Sequence, residues 1–288
     1  MTMLEILSEF PIIMQVCVFC IGACIGSFLN VCIFRIPNGQ SIVKPPSHCK
    51  CGKLIKFYDN IPIFSWFILR GKARCCKSKI SFRYPLVESL TAVLFLLLWL
   101  NFTPAVAFAY MVFVCIMIFC TFVDIDTITL PDIVTIGGTI LGILISLSIP
   151  SLHGVDTTNT LPVLAHLKSM GISIIAVMLA SGFLYWFRLL AECILKREAM
   201  GEGDVILLGC IGAFCGWKGA LFALFGGSVL GCFIILPIVL IKQIASKQNN
   251  SAEIEIPFGP WLALGAVVYI FMAEYVNVYI SNFISIFE

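Results

Sequence analysis

Apolar residues in this chain come in long unbroken blocks, not in the period-two pattern of a half-buried strand or the 3.6-residue stripe of a surface helix. The blocks run over about 12–34, 85–100, 105–123, 133–149, 170–187, 205–216, 220–241 and 257–280. A helix that crosses the hydrocarbon core of a bilayer needs about 20 mainly apolar residues. The blocks therefore predict an all-α polytopic membrane protein with about eight transmembrane helices, the sixth of them short. The first block is too long, and lacks the basic start, for a cleaved signal peptide.

Charge orients the pattern. No Lys or Arg precedes Arg35, while the segment 35–83 carries eleven of the eighteen basic residues. Basic loops stay in the cytoplasm, so this loop is predicted to be cytoplasmic and the N-terminus external. Alternating spans then place Asp124, Asp126, Asp132, Arg188, Lys196, Arg197, Asp204 and the loop 242–255 on the cytoplasmic side, and 151–168 outside. The predicted organisation is a first transmembrane helix (1–34), a basic, cysteine-containing cytoplasmic loop domain between the first two helices (35–84), and a membrane core (85–288). Composition agrees. The chain is 60% hydrophobic and 12% charged, against roughly 25% charged in soluble domains, and its mean hydropathy is +1.04. The basic loop reads as a contact for anionic membrane lipids and a topology signal, and no nucleic-acid partner is predicted.

Against that background two carboxylates stand out. Asp124 closes an apolar block in Phe122-Val123-Asp124-Ile125-Asp126, and Asp204 precedes another in Gly201-Glu202-Gly203-Asp204. An ionisable group beside hydrocarbon is costly and marks a functional site. Two at one membrane face suggest a shared one, and two carboxylates sharing a proton can hydrolyse a peptide bond. Asp126 competes with Asp124 for the first position, and Asp132, after Pro131, reads as a helix start or cap. Gly201 and Gly203 would permit irregular backbone and close substrate approach. Glu88 either pairs with a basic loop residue or joins the site. Cys17, Cys20, Cys24, Cys115, Cys120 and Cys232 read as small buried hydrophobes. His153 and His166 fall in the outer loop with nothing catalytic about them. Glu192, Glu198 and Glu202 read as solvated, and Gly226, Gly227 and Gly231 as helix-packing positions.

An ordered set of motifs adds to this reading. It comprises Gly26-Ser27-Phe28-Leu29-Asn30-Val31, Tyr58-Asp59-Asn60-Ile61-Pro62, Ser65-Trp66, Arg70-Gly71-Lys72 and Ile80-Ser81-Phe82-Arg83-Tyr84-Pro85-Leu86-Val87-Glu88. It continues with Asp124-Ile125-Asp126, Leu130-Pro131-Asp132, Gly203-Asp204 and Pro257-Phe258-Gly259-Pro260. Over about 230 residues the set resembles the type IV prepilin peptidase family of membrane aspartyl proteases. The resemblance implies a catalytic pair of Asp124 and Asp204. It also implies a bacterial inner-membrane location, and cleavage of prepilin or pseudopilin leaders after a Gly and before a hydrophobic helix. Many members also N-methylate the new terminus with S-adenosylmethionine, although nothing here resembles a soluble methyltransferase motif.

The loop cysteines depart from the family's two Cys-x-x-Cys pairs, which suit a tetrahedral structural zinc. Here the loop reads Ser47-His48-Cys49-Lys50-Cys51-Gly52 and Ala73-Arg74-Cys75-Cys76. The expected ligand set is Cys51, Cys75 and Cys76 with either His48 or Cys49, and adjacent Cys75 and Cys76 would ligate one ion only with strained backbone. Ile206 stands where the family commonly has Lys, which removes one stabiliser of ionised Asp204. Two other functions fit a polytopic chain: a transporter, which places its carboxylates near the midplane of matched halves, and a non-enzymatic pilus or secretion assembly factor.

Overall fold

The computed structural model describes residues 11–44, 46–49, 51–157, 161–197, 200–245 and 257–284, and within these the chain is helical without a ladder of strands. In chain order the helices are α1 (Pro11–Arg35), α2 (Phe64–Ile68), α3 (Arg83–Asn101), α4 (Pro104–Thr127), α5 (Asp132–Ser148), α6 (Pro162–Leu195), α7 (Glu202–Ala245) and α8 (Gly259–Ile284). Six of them, α1, α3, α4, α6, α7 and α8, are long and apolar enough to cross a membrane, and α5 is a shorter apolar helix. The protein is a multi-pass membrane protein. Glu198 and residues 246–255 of the 242–255 loop lie outside the described residues.

Every predicted apolar block is helical, but two boundaries move. The sixth and seventh blocks form one helix, α7, interrupted only at Gly216, whose φ of 70° and ψ of 177° are not helical. That conformation is open to glycine alone. The break interrupts the hydrogen-bond ladder, and side chains satisfy a carbonyl there. Ser173 Oγ donates to the Ala213 carbonyl at 2.9 Å. Ser146 Oγ lies 3.3 Å from the same oxygen and 3.0 Å from His153 Nε2. His153 is therefore part of the joint at the break. Burial pushes its ring below the usual histidine range, against a smaller opposing effect of the Ala213 carbonyl. The second shift is in α6, which begins at Pro162 and so takes in His166, whose Nδ1 lies 2.6 Å from the Leu147 carbonyl.

The chain divides into two compact units, Met1–Phe119 and Cys120–Glu288. In the first, α1 packs along α3. The approach is close because a Cβ at Gly22 would lie 2.8 Å from Ala92 Cα, and one at Gly26 2.7 Å from Glu88 Cα. In the second, α7 packs against α5, α6 and α8, again through small residues, since lipid supplies no hydrophobic drive for helices to associate. Gly227 and Gly231 sit against Trp261 as packing positions, whereas Gly226 meets only Phe222 of its own helix. The cysteine reading needs correction. Cys120 is buried and Cys115 half-buried, but Cys17, Cys20, Cys24 and Cys232 are exposed. They lie on outward faces of apolar helices, where an apolar thiol suits lipid as well as a core.

One close helix contact gives a direct test. A Cβ at Gly265 would lie 2.7 Å from the Ala223 carbonyl oxygen and 3.1 Å from the Gly227 nitrogen. Gly265→Leu should therefore destabilise the C-terminal unit by about 1–3 kcal/mol. Gly171→Leu, at a helical glycine whose Cβ would meet nothing within 4 Å, should be close to neutral. Thermal unfolding in detergent compares them.

Candidate active site and thiol cluster

Asp124 and Asp204 are both buried, at 5% and 8% exposure. Asp124 sits in the last turn of α4 and Asp204 is the third residue of α7. They are near enough that the charge of Asp124 acts on Asp204. Asp126 is exposed, which favours Asp124 as the first carboxylate, and exposed Asp132 opens α5 without a side-chain cap. Gly259, the first residue of α8, donates its N–H to Asp124 Oδ2 at 2.9 Å.

The local backbone explains the neighbouring motif residues. The helix α4 ends as Ile128 N–H donates back to the Asp124 carbonyl at 2.9 Å, with Ile128 itself at φ 55°. A β-branched residue in that region is strained, and such strain gathers at functional sites. Gly201 and Gly203 do not have positive φ, so the irregular backbone lies at Ile128. Gly203 serves packing instead, because a Cβ there would come within 2.9 Å of Leu130 Cβ. Leu130 thus couples the turn after Asp124 to the helix start that carries Asp204. Arg188 Nε bonds Glu192 at 2.7 Å and Arg188 Nη2 bonds Glu202 at 3.1 Å, so these two glutamates are ion-paired.

In the N-terminal unit two tight hairpins carry the four loop cysteines. In the first, His48 bridges to Leu54, Cys49 N–H donates to the Lys53 carbonyl, and Gly52 N–H donates to the Cys49 carbonyl, each at 2.8 Å. In the second, Lys72 bridges to Lys79 and Ala73 N–H donates to the Ser78 carbonyl at 2.8 Å. Cys49 Sγ lies 3.4 Å from Cys76 Sγ, and Cys51 Sγ 3.4 Å from Cys75 Sγ. All four sulfurs fall within 4.8 Å of one another. A tetrahedral ion with bonds of about 2.3 Å sets its sulfurs about 3.8 Å apart, so the cluster can hold one metal ion. Of the two candidates for the first ligand, Cys49 is the one in the cluster. His48 bonds locally, with Nδ1 3.2 Å from the Pro46 carbonyl. Neither Cys75 nor Cys76 has positive φ; the left-handed residue is Lys77, just beyond them.

The thiols are unequal. The Cys51 backbone, then the Cys75 and Cys76 thiols, hold Cys49 down at about 6, while hydrogen bonds to Cys49 and then Cys51 push Cys75 up to about 12. A ready thiolate favours metal binding. Around the cluster, Arg74 donates to Asp59 through Nε at 3.0 Å and Nη2 at 2.7 Å. That guanidinium holds the Asp59 carboxyl below its ordinary range. Trp66 Nε1–H donates to the Ile80 carbonyl at 3.1 Å.

Glu88 is buried inside α3 and has a backbone partner. Its Oε2 accepts the Ile63 N–H at 2.6 Å. Ile63 (φ 65°, ψ −60°) is the centre of a γ-turn closed by Phe64 N–H to the Pro62 carbonyl at 2.6 Å. A γ-turn of this sign is rare and strained. Sequence reasoning missed the contact; the available signal was a lone carboxylate inside an apolar block, which needs a donor.

Comparison with known proteins gives the family. Residues 20–102 match the bacterial peptidase A24 N-terminal domain and residues 111–236 match the type IV leader peptidase family. A Myxococcus xanthus protein named prepilin leader peptidase/N-methyltransferase is 35% identical, over 85% of this chain and 69% of its own length. Proteins of the same name from Dickeya chrysanthemi and Aeromonas hydrophila are each 31% identical, over 93% and 98% of this chain and 96% and 99% of their own. No solved structure matches the chain.

Metal uptake by the thiol cluster has a direct readout. Cobalt(II) added to the reduced, metal-free protein should give thiolate-to-metal charge-transfer absorption at one ion per chain. Cys49→Ser or Cys75→Ser should weaken binding at least tenfold, and His48→Ala should leave it unchanged.

Proposed function

The chain belongs to the type IV leader peptidase family, and we propose that it removes the leader of prepilins and prepilin-like proteins by general acid–base catalysis at Asp124 and Asp204. The observation that supports this most is the pair itself: two buried carboxylates, within electrostatic reach, at the ends of two apolar helices. Two carboxylates that share a site do not both ionise readily, so in this reading the pair holds one proton between them. One carboxylate then takes a proton from water as its oxygen attacks the scissile carbonyl. The other gives its proton to the carbonyl oxygen, and the first then passes the proton it took from water to the leaving amine as the C–N bond breaks.

The eleven basic residues of 35–83 support a cytoplasmic loop domain (35–84) between the first helix (1–34) and a membrane core (85–288), in a bacterial inner membrane. Counting the two limbs of α7 on either side of Gly216 separately gives eight helical passes, with both termini outside. The prepilin helix would cross the bilayer with its basic leader in the cytoplasm, which sets the scissile bond at the level of the two aspartates. Zinc is the ion that suits four thiolates. Held by Cys49, Cys51, Cys75 and Cys76, it would tie the two hairpins together as a structural ion.

A second activity, N-methylation of the new terminus, comes from the relatives' names. S-adenosylmethionine would supply the methyl group. One groove of about 620 Å³ lies by Trp217, Phe222 and Phe225 and another of about 430 Å³ by Phe95, Trp99 and Phe108. Both are lined by apolar side chains, Lys218 excepted, and they do not offer the hydrogen bonds that an adenine and a ribose need. We assign no step to that cofactor.

Asp124→Asn and Asp204→Asn should each lower leader cleavage by about 10²–10⁴ in proteoliposomes given a prepilin panel, with insertion intact. Exposed Asp126→Asn should retain cleavage. Full activity in either of the first two would refute the pair. Metal analysis of protein purified under reducing, chelator-free conditions should find about one zinc per chain, and a value near zero would leave four free thiols.

A further inference from the structure

We propose that the backbone N–H of Gly259 fixes Asp124 as the ionised member of the pair, so that Asp124 is the base and Asp204 the acid. The inference rests on the dyad proposed above and assigns its two roles.

The two carboxylates have different surroundings. Asp124 Oδ2 accepts a buried hydrogen bond of 2.9 Å from Gly259 N–H. That N–H belongs to the first residue of α8, a helix of 26 residues, so it is one of the donors a helix cannot use internally. It also carries the positive end of the helix dipole. A donor that cannot accept favours the charged form of its carboxylate. Among the described residues no donor to the Asp204 carboxylate is found. Asp204 has the start of its own helix nearby, but that field is weaker than a direct, charge-assisted hydrogen bond. The titratable groups facing Asp124 are Asp204, from α7, and Cys120, one turn back on its own helix. Among the described residues of α8, Gly259 N–H is the group that bonds it.

Position 259 is built for this contact. A Cβ there would lie 2.8 Å from Asp124 Oδ2 and 3.3 Å from Cγ. Only glycine lets the backbone approach the carboxylate this closely, although its φ is ordinary. The motif Pro257-Phe258-Gly259-Pro260 thereby gains a specific role, with Gly259 as a positioning residue that acts through Asp124.

The proton balance follows. Asp124 carboxylate removes a proton from water as the water oxygen bonds to the carbonyl carbon, and the Asp204 proton passes to the carbonyl oxygen. The product is a neutral gem-diol, with Asp124 protonated and Asp204 ionised. Asp124 then protonates the amide nitrogen, Asp204 takes a proton from a gem-diol hydroxyl, and the C–N bond breaks. Both carboxylates return to their starting states.

The test removes the N–H alone. Glycolic acid placed at position 259 by nonsense suppression replaces the amide with an ester and adds no side chain. The acidic limb of the kcat/KM profile reports protonation of the base, so without the donor it should move to higher pH, by about one unit. At pH values on that limb kcat should fall about tenfold, with KM for the prepilin unchanged. A purely structural role would lower activity evenly across pH. Gly259→Ala, checked for insertion by protease protection, should shift the limb the same way. A limb that stays in place in the ester protein overturns the assignment. Asp124→Asn and Asp204→Asn run in the same assay separate the two ideas. If both are inactive and the ester limb is unmoved, only the role assignment falls. If either cleaves normally, the dyad falls too.

Discussion

Inside a bilayer the chain must satisfy its own polar groups, because hydrocarbon offers no hydrogen bonds. That constraint accounts for the details of this protein better than any propensity does. The Asp124 carboxylate takes the spare N–H at the start of α8. The Ala213 carbonyl, by the break at Gly216, takes the Ser173 hydroxyl. Glu88, inside α3, takes the Ile63 N–H, and Asn30, inside α1, donates to the Gly26 and Tyr84 carbonyls at 3.3 and 3.2 Å. Among the described residues only Ser169 Oγ is left buried without a partner. The first three pairings join a side chain in an apolar helix to backbone at the start of a helix, at a break in one or in a turn, whereas Asn30 bonds carbonyls that lie within helices.

The same constraint explains where the glycines are needed. A carbonyl or carboxylate can serve another helix only if the two backbones approach, and side chains would hold them apart. Gly26 lets α1 reach Glu88 and Thr91 on α3, Gly142 lets α5 meet Phe214 on α7, and Gly259 lets α8 touch Asp124. Packing and polar satisfaction are therefore one design, with small residues placed where polar groups have to meet.

This also sets what was legible in the sequence. Apolar blocks mark helices because their length is dictated by the bilayer, and all eight blocks are helical. Asp124 and Asp204 stood out because a charge at the edge of such a block is costly, and the surrounding motifs raised them above an interfacial or capping carboxylate. The continuity of α7 was not visible, since a glycine before Trp217 reads as a loop and only its dihedrals show that the helix resumes. The extra turns of α6 were hidden because 162–169 contains His166 and Lys168, which hydropathy scores as outside. The fourth thiol position could not be settled from spacing, because His48 and Cys49 are adjacent and only the hairpin turns one sulfur inward. The exposed Cys17, Cys20, Cys24 and Cys232 show a further limit: apolarity does not distinguish a residue facing lipid from one facing protein.

The central claim is that one buried pair, Asp124 and Asp204, addresses one peptide bond. The most direct measurement is a structure of the protein with a prepilin peptide whose scissile amide is replaced by a hydroxyethylene group, a mimic of the tetrahedral intermediate. The account predicts that the central hydroxyl lies within hydrogen-bond reach of both carboxylates, about 2.6–3.2 Å. A hydroxyl bound against Asp126, or touching only one of the two, would contradict it.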